Sequence, residues 1–175
     1  MTDGARIMKR PTLTVATIAA AAMALPFAAA ANDALVTYKA LKPEVALKMA
    51  RAAMKSCQDG GYQVGVAVVD RFGNLQVFLR DRFAGAHTVE TATRKAWTAV
   101  SFRTNTSELD EATRPGEISA GIRFIGQALP LGGGMMVESG GSLVAGIGVS
   151  GAPGPDIDDE CARAGIDAIE DELGF

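Results

Sequence analysis

The chain has 175 residues, 48% of them hydrophobic and 21% charged, with 20 glycines and a formal charge of −3 at neutral pH. This composition excludes a disordered or collagen-like chain, and an acidic chain without a basic stripe is a poor binder of nucleic acid or anionic membranes. With one histidine and two cysteines, it offers no cluster of metal ligands and no defensible nucleophile–base–acid set, so demanding chemistry would have to come from a bound group.

Residues 1–31 read as a secretory signal peptide. Arg6, Lys9 and Arg10 precede an apolar run at 13–25, and alanines 28–31 give a small-residue cleavage site before Asn32 and Asp33. The run is short for a membrane span. Cleavage would leave one domain, residues 32–175, in the periplasm or secreted. Its charge would be −5, because three basic groups leave with the single acid Asp3.

A first helix is expected over 43–56. Pro43 suits its first position, and Val45, Met49, Ala53 and Cys57 repeat at spacing four as an apolar stripe before Gly60 and Gly61 stop it. Valine-rich 63–69 and alternating 75–80 read as strands. The turn at 70–74, with Gly73 at positive φ, joins them as an antiparallel hairpin. The central helix spans 87–102, with His87 or Thr88 at its N-cap and Val89, Ala92, Ala96, Trp97 and Val100 on its apolar face. Glu90 and Arg94 are spaced for an i, i+4 ion pair.

A short helix follows near Ser107-x-x-Asp110, and 117–127 is a further short helix or turn. Strands at 135–138 and 143–150 flank a second hairpin turn, and a last helix covers 156–173. Paired hairpins with helices between and outside them argue for an α+β domain with an antiparallel sheet, not a doubly wound parallel one. Cys57 and Cys161 each fall in a helix. In an oxidising compartment they can form a disulfide, worth up to ~4–5 kcal/mol for a loop this long; buried free thiols are the alternative.

Gly146-x-Gly148-x-x-Gly151 matches the dinucleotide fingerprint in letters only. Its first two glycines lie inside a strand, and the next helix opens with acids that repel a pyrophosphate. The strand period puts Val144, Gly146 and Gly148 on one face and Leu143, Ala145, Ile147 and Val149 on the other. Two positions without side chains on one face imply a close neighbour: a helix, a second subunit or a flat ligand. The acids at 156–160 fail as a calcium loop, because its sixth position is Cys161 and its twelfth Asp167. Glu108 and Glu111 share a helix face and read as solvated.

His87 is the one imidazole, placed where a helix starts after a flexible Ala-Gly-Ala. A neutral imidazole there can ligate heme iron; the plain alternative is a surface cap. Arg80, Arg82, Arg94, Lys95 and Arg103 are nearby cations for propionates. Thr88, Met135, Met136 and Tyr62 are further possible iron contacts.

Four segments carry a resemblance: VAVVDRFGNLQVF (66–78), AGAHTVETATRKAWTA (84–99), LPLGGGMMV (129–137) and GIGVSGAPGPDIDDECARAGIDAI (146–169). They resemble the GlcG/HbpS-like heme-binding family, whose domain also ends PduO-type cobalamin adenosyltransferases. The resemblance implies an antiparallel sheet of about five strands flanked by helices, assembly into homo-oligomers from dimer to octamer, and heme as the cofactor. The family has no single invariant axial ligand, so His87 or Thr88 is expected on the iron side. Arg94, Lys95, Met135 and Met136 are expected around it, in a shallow site built from the start of the central helix and the glycine-rich strands. The implied function is an exported protein that sequesters or senses heme, with a membrane sensor as a possible partner and no nucleic acid. A heme-degrading redox enzyme is one alternative; a small-organic-acid or sensor-partner module linked to glycolate-type metabolism is the other. No catalytic residue is assigned.

Overall fold

The computed structural model describes residues 1–2 and 34–174, so nearly all of the expected signal peptide, residues 1–31, lies outside the described residues. Thr37–Phe175 is one compact unit. No described helix is long and apolar enough to cross a membrane.

Helix α1 (Pro43–Asp59) starts at its proline, with Lys42 as N-cap. Ala46, Met49, Ala50, Ala53 and Cys57 form its buried stripe. Strands β1 (Gly65–Asp70) and β2 (Leu75–Arg80) follow as the expected hairpin. The Asp70 carboxylate holds the turn by accepting the N–H groups of Phe72 and Asn74 at 2.8 and 2.9 Å. Helix α2 (Thr88–Phe102) and the short α3 (Thr106–Ala112) come next, and most of the following segment is turn, with one 3-10 stretch at Ala120–Phe124. Strands β3 (Gly134–Ser139) and β4 (Ser142–Ser150) make the second hairpin.

Helix α4 (Pro155–Asp167) and a single turn, α5 (Glu170–Leu173), replace the continuous last helix expected over 156–173. The break brings both Ile169 and Leu173 into the core cluster that also holds Leu41.

The sheet has four strands among the described residues, in the order β2-β1-β4-β3, all antiparallel. β1 and β4 pair at the centre and join the hairpins. Because strand side chains alternate, β1 and Val64 just before it supply Val64, Val66 and Val68 to one core and Ala67 and Val69 to the other. Helices α1 and α4 cover the valine face, and α2 covers the other.

Strict alternation along β4 fails at its start. Val137 pairs with Ala145 but Glu138 pairs with Leu143, which leaves Val144 as an extra residue. This bulge turns Val144 toward the α1/α4 core with Ile147, while Leu143 packs on the α2 side. The close neighbour implied by Gly146 and Gly148 is α2. A Cβ on Gly148 would run into the Ala92 carbonyl oxygen and lie 2.7 Å from the Ala96 nitrogen. Alanines on the helix and glycines on the strand let the backbones approach.

Cys57 and Cys161 are bridged, with their Cα atoms 5.5 Å apart, and the bond ties α1 to α4 across a sequence separation of 104. No free cysteine occurs among the described residues.

Candidate pocket at the start of helix α2

The loop that leads into α2 is tied down before the helix begins. The Asp81 carboxylate accepts the Gln58 side-chain amide and the Arg82 N–H, each at 2.7 Å. The Gln58 bond holds this carboxyl below its usual range. Arg80 donates to the Ala84 carbonyl. Thr88 N–H and its hydroxyl both donate to the Gly85 carbonyl, at 3.1 and 2.8 Å.

His87 is the N-cap residue, already in helical conformation, and its side chain makes no cap bond. The residue is exposed. Its ring rests over Gly85: a Cβ there would lie 2.6 Å from Cε1 and 2.7 Å from Nδ1, but 3.7 Å from Nε2, which is therefore the outer nitrogen.

One turn and two turns later, Thr91, Arg94 and Lys95 fall on the same side of the helix, as i+4, i+7 and i+8 must. With His87 they line a cavity of about 580 Å³. Leu129 and Leu131 form a second wall. Residues 150–155, the end of β4 and the loop into α4, form the third, and Asp158 reaches the floor. Arg94 fixes the second wall by donating to the carbonyls of Gln127 and Ala128 at 3.3 and 2.9 Å, and it also pairs with Glu90 at 3.2 Å. The Thr98 hydroxyl accepts the Leu129 N–H at 2.9 Å.

The floor is a buried ion pair. Lys95 is 1% exposed and donates to Asp158 Oδ2 at 2.8 Å and to the Val149 carbonyl at 3.0 Å. Burial pushes the Asp158 carboxyl above its usual range, against the opposing pull of Lys95. Gly133, at φ +108°, passes over this pair; a Cβ there would lie 2.8 Å from Asp158 Cβ and 2.9 Å from Lys95 Nζ. Its N–H donates to Asp159 Oδ1 at 2.5 Å, and Ser107 donates to the same carboxylate.

The expected site residues divide. His87, Arg94 and Lys95 share the pocket. Thr88 does not reach it: one helix step turns it under the sheet, where it is fully buried against Gly65. Met135 lies in the α1/α4 core, and Met136 packs on the α2-side cluster and edges a separate groove with Asn105 and Glu138. Consecutive residues of a strand point to opposite faces, so the two methionines could not act together.

The glycine faces of β4 are covered by α2 and offer no surface to a flat ligand. Thr91, Leu129, Leu131, residues 150–155 and Asp158 were not expected from the sequence to line the site. The helix period from His87 would have found Thr91; the loops needed the fold. No group of three or more His, Cys, Asp or Glu side chains is placed to hold a metal ion among the described residues.

The model of a family described as haem degrading protein HbpS-like matches residues 41–167. HbpS of Streptomyces reticuli, in a double-mutant crystal structure, is 42% identical; the match covers 83% of this chain and 97% of that one, with a TM-score of 0.74. The crystal structure of a PduOC:heme complex is 32% identical over 74% of this chain and 95% of that one, with a TM-score of 0.70. The corrinoid adenosyltransferase PduO of Salmonella typhimurium is 34% identical over 124 residues, 70% of this chain. The chain spans only 37% of that enzyme's length.

Proposed function

The chain belongs to the HbpS-like family, and from that premise we propose that it is an exported heme-binding protein that sequesters or senses heme, with His87 on the iron side. The observation that carries this reading is the accessible imidazole at the rim of a cavity of about 580 Å³, its outer nitrogen free of the Gly85 contact. That volume is within the range of small-molecule sites, and imidazole is a common axial donor to heme iron.

The other lining groups fit the same cargo. Leu129, Leu131, Pro153 and Pro155 are apolar lining for a macrocycle. Arg94 has five N–H donors and engages three with Gln127, Ala128 and Glu90. The remaining two can meet a propionate carboxylate. Lys95, buried and paired, holds the floor instead of meeting a propionate. Bound heme would supply redox-active iron; the chain's own residues position it and shield one side. The PduOC:heme complex supports transfer of the ligand class.

Export is supported by the Cys57–Cys161 bond, since such bonds persist in oxidising compartments. Assembly into a homo-oligomer is part of the same proposal, and Phe83 (78%), Ile118 (102%) and Phe124 (90%) are exposed apolar side chains available to such a contact. If the protein acts as a sensor, a membrane protein would be its partner.

The test is a hemin titration of residues 32–175 followed by Soret absorbance, with His87→Ala and Thr88→Ala alongside. Saturable one-to-one binding that His87→Ala abolishes and Thr88→Ala retains is the expected result. His87→Ala should leave the melting temperature of the unliganded protein unchanged. Binding that survives His87→Ala would move the iron contact elsewhere, and a non-saturating titration would turn attention to small organic acids.

The family's description as heme-degrading supports a second reading, a heme-dependent redox enzyme. Release of iron from the loaded protein under reductant and peroxide would favour it.

A further inference from the structure

The pocket's third wall is a short loop, residues 151–154, between the last residue of β4 and the first of α4. Three of its residues are glycine or proline, and Gly151 and Pro153 are exposed. Little of its own backbone holds it. Among the described residues, the one N–H of this loop with a hydrogen-bond partner is that of Ala152, which donates to Asp158 Oδ1 at 3.1 Å.

The same carboxylate receives Lys95 on its other oxygen, and Lys95 also donates to the carbonyl of Val149, just before the loop. A continuous chain of side-chain contacts thus runs from α2 through Lys95 and Asp158 to the start of the loop, and the Asp158 N–H donates to the Gly154 carbonyl at its end at 3.2 Å. The pair is buried, 1% and 6% exposed at the side chains, so water does not compete for these bonds. Gly133 packs against Asp158 and Lys95 from the opposite side and leaves the two side chains little freedom to swing away.

We infer that Lys95 and Asp158 form a latch that holds loop 151–154 as the outer wall of the pocket and so sets how slowly a bound ligand leaves. The inference rests on the heme reading for its ligand but not for its mechanics. Lys95 and Asp158 are positioning residues: they act through Ala152 and Val149 and need not touch the cargo.

A buried pair also stabilises a fold by ordinary packing, and removing one partner alone leaves an uncompensated charge. Asp158→Ala is therefore too blunt a probe and is paired with the double substitution Lys95→Met/Asp158→Leu. Replacing both charges by apolar groups of similar size is close to neutral for stability, but it removes the acceptor for Ala152 and the donor for Val149.

The measurements are the melting temperature, amide hydrogen exchange across 151–154 in the unliganded protein, and the rate of hemin transfer to excess apoglobin. The expected result for the double variant is a melting temperature near that of the parent, with loop exchange and hemin transfer each about tenfold faster, the size of effect that losing a bond to a charged acceptor gives. Lys95→Arg in the parent, which keeps a donor for both partners, should retain slow exchange in part.

Parent-like exchange and transfer in the double variant would overturn the latch and leave the pair as a packing contact. If the parent takes up no hemin, the heme reading falls and the exchange measurement decides alone. Faster exchange would then uphold the latch for some other cargo; unchanged exchange would overturn it.

Discussion

The two faces of the sheet are packed by different means. On the α1/α4 face, branched and long side chains interdigitate: Val64, Val66, Val68, Ile147, Val149 and Met49 are all fully buried, and the disulfide ties the two covering helices together. On the α2 face the contact is almost backbone to backbone, with Ala92 and Ala96 against Gly146 and Gly148.

Large side chains tolerate small shifts of the elements that carry them. Backbone contact does not, because no flexible atoms lie between. The α1/α4 face therefore supplies most of the apolar burial, and the α2 face fixes where one helix sits. His87, Arg94 and Lys95 ride on that helix, so their position in the pocket follows from the glycine contacts beneath them.

The strongest way to break this contrast is to put a side chain between α2 and β4. Gly148→Val should cost about 3 kcal/mol or more, since the added atoms meet main chain that cannot yield. Ile147→Val, one residue away on the other face, should cost about 0.5–1.5 kcal/mol. Urea unfolding of the two variants measures the difference; equal losses would refute the two-mode picture.

Next in size is the disulfide. Cys57→Ser with Cys161→Ser should lower stability by about 2–5 kcal/mol, read as a fall in urea midpoint that reductant does not deepen further. Hemin affinity at 25 °C should stay within about twofold of the parent wherever the variant remains folded, because neither cysteine lines the pocket and both lie in the α1/α4 core. A large loss of affinity would mean the two faces are coupled.

The smallest effect is expected outside both faces. Arg123 donates to the Asp110 carboxylate at 2.6 Å and holds its carboxyl below the usual value of 3.8, with Arg114 adding to the pull. A lowered folded-state value means the stabilisation is present above pH 3.8 and is lost as the pH falls through the lower folded-state value. The group is about a third exposed, so solvent screens it and Asp110→Asn should cost under ~1 kcal/mol at pH 7. The parent and variant melting curves should converge as the pH falls below 3.8 through the folded-state value. A gap that persists in acid would mean the loss is not electrostatic.

Much of the fold was legible in the sequence because its signals are local. Pro43 and the spacing-four stripe give α1, valine alternation and the Asp70–Asn74 turn give the first hairpin, and the alanine stripe gives α2. The interrupted end of the last helix was not legible, since no glycine or proline marks positions 168–169 and the break serves burial of Ile169 in a core assembled from distant segments. The bulge at Val144 was likewise hidden, because pairing with Val137 and Glu138 creates it.

The site was legible only along the helix. His87, Arg94 and Lys95 are separated by helical spacings and arrive in the pocket together. Met135 and Met136 were grouped by composition, and strand geometry separates them.

By itself the sequence determined the element order, the α+β class, two cysteines both set on helices, and one histidine at a helix start. These follow from short-range periodicity and from residue types that act on their own neighbours. Only the tertiary structure decided that α2 closes the glycine face, that Thr88 is buried while His87 is not, and that Asp158 lies under Lys95 from 63 residues away. Each of those is a contact between segments remote in the chain. Pair contacts of that kind are set by how whole faces bury together, and no local pattern encodes them.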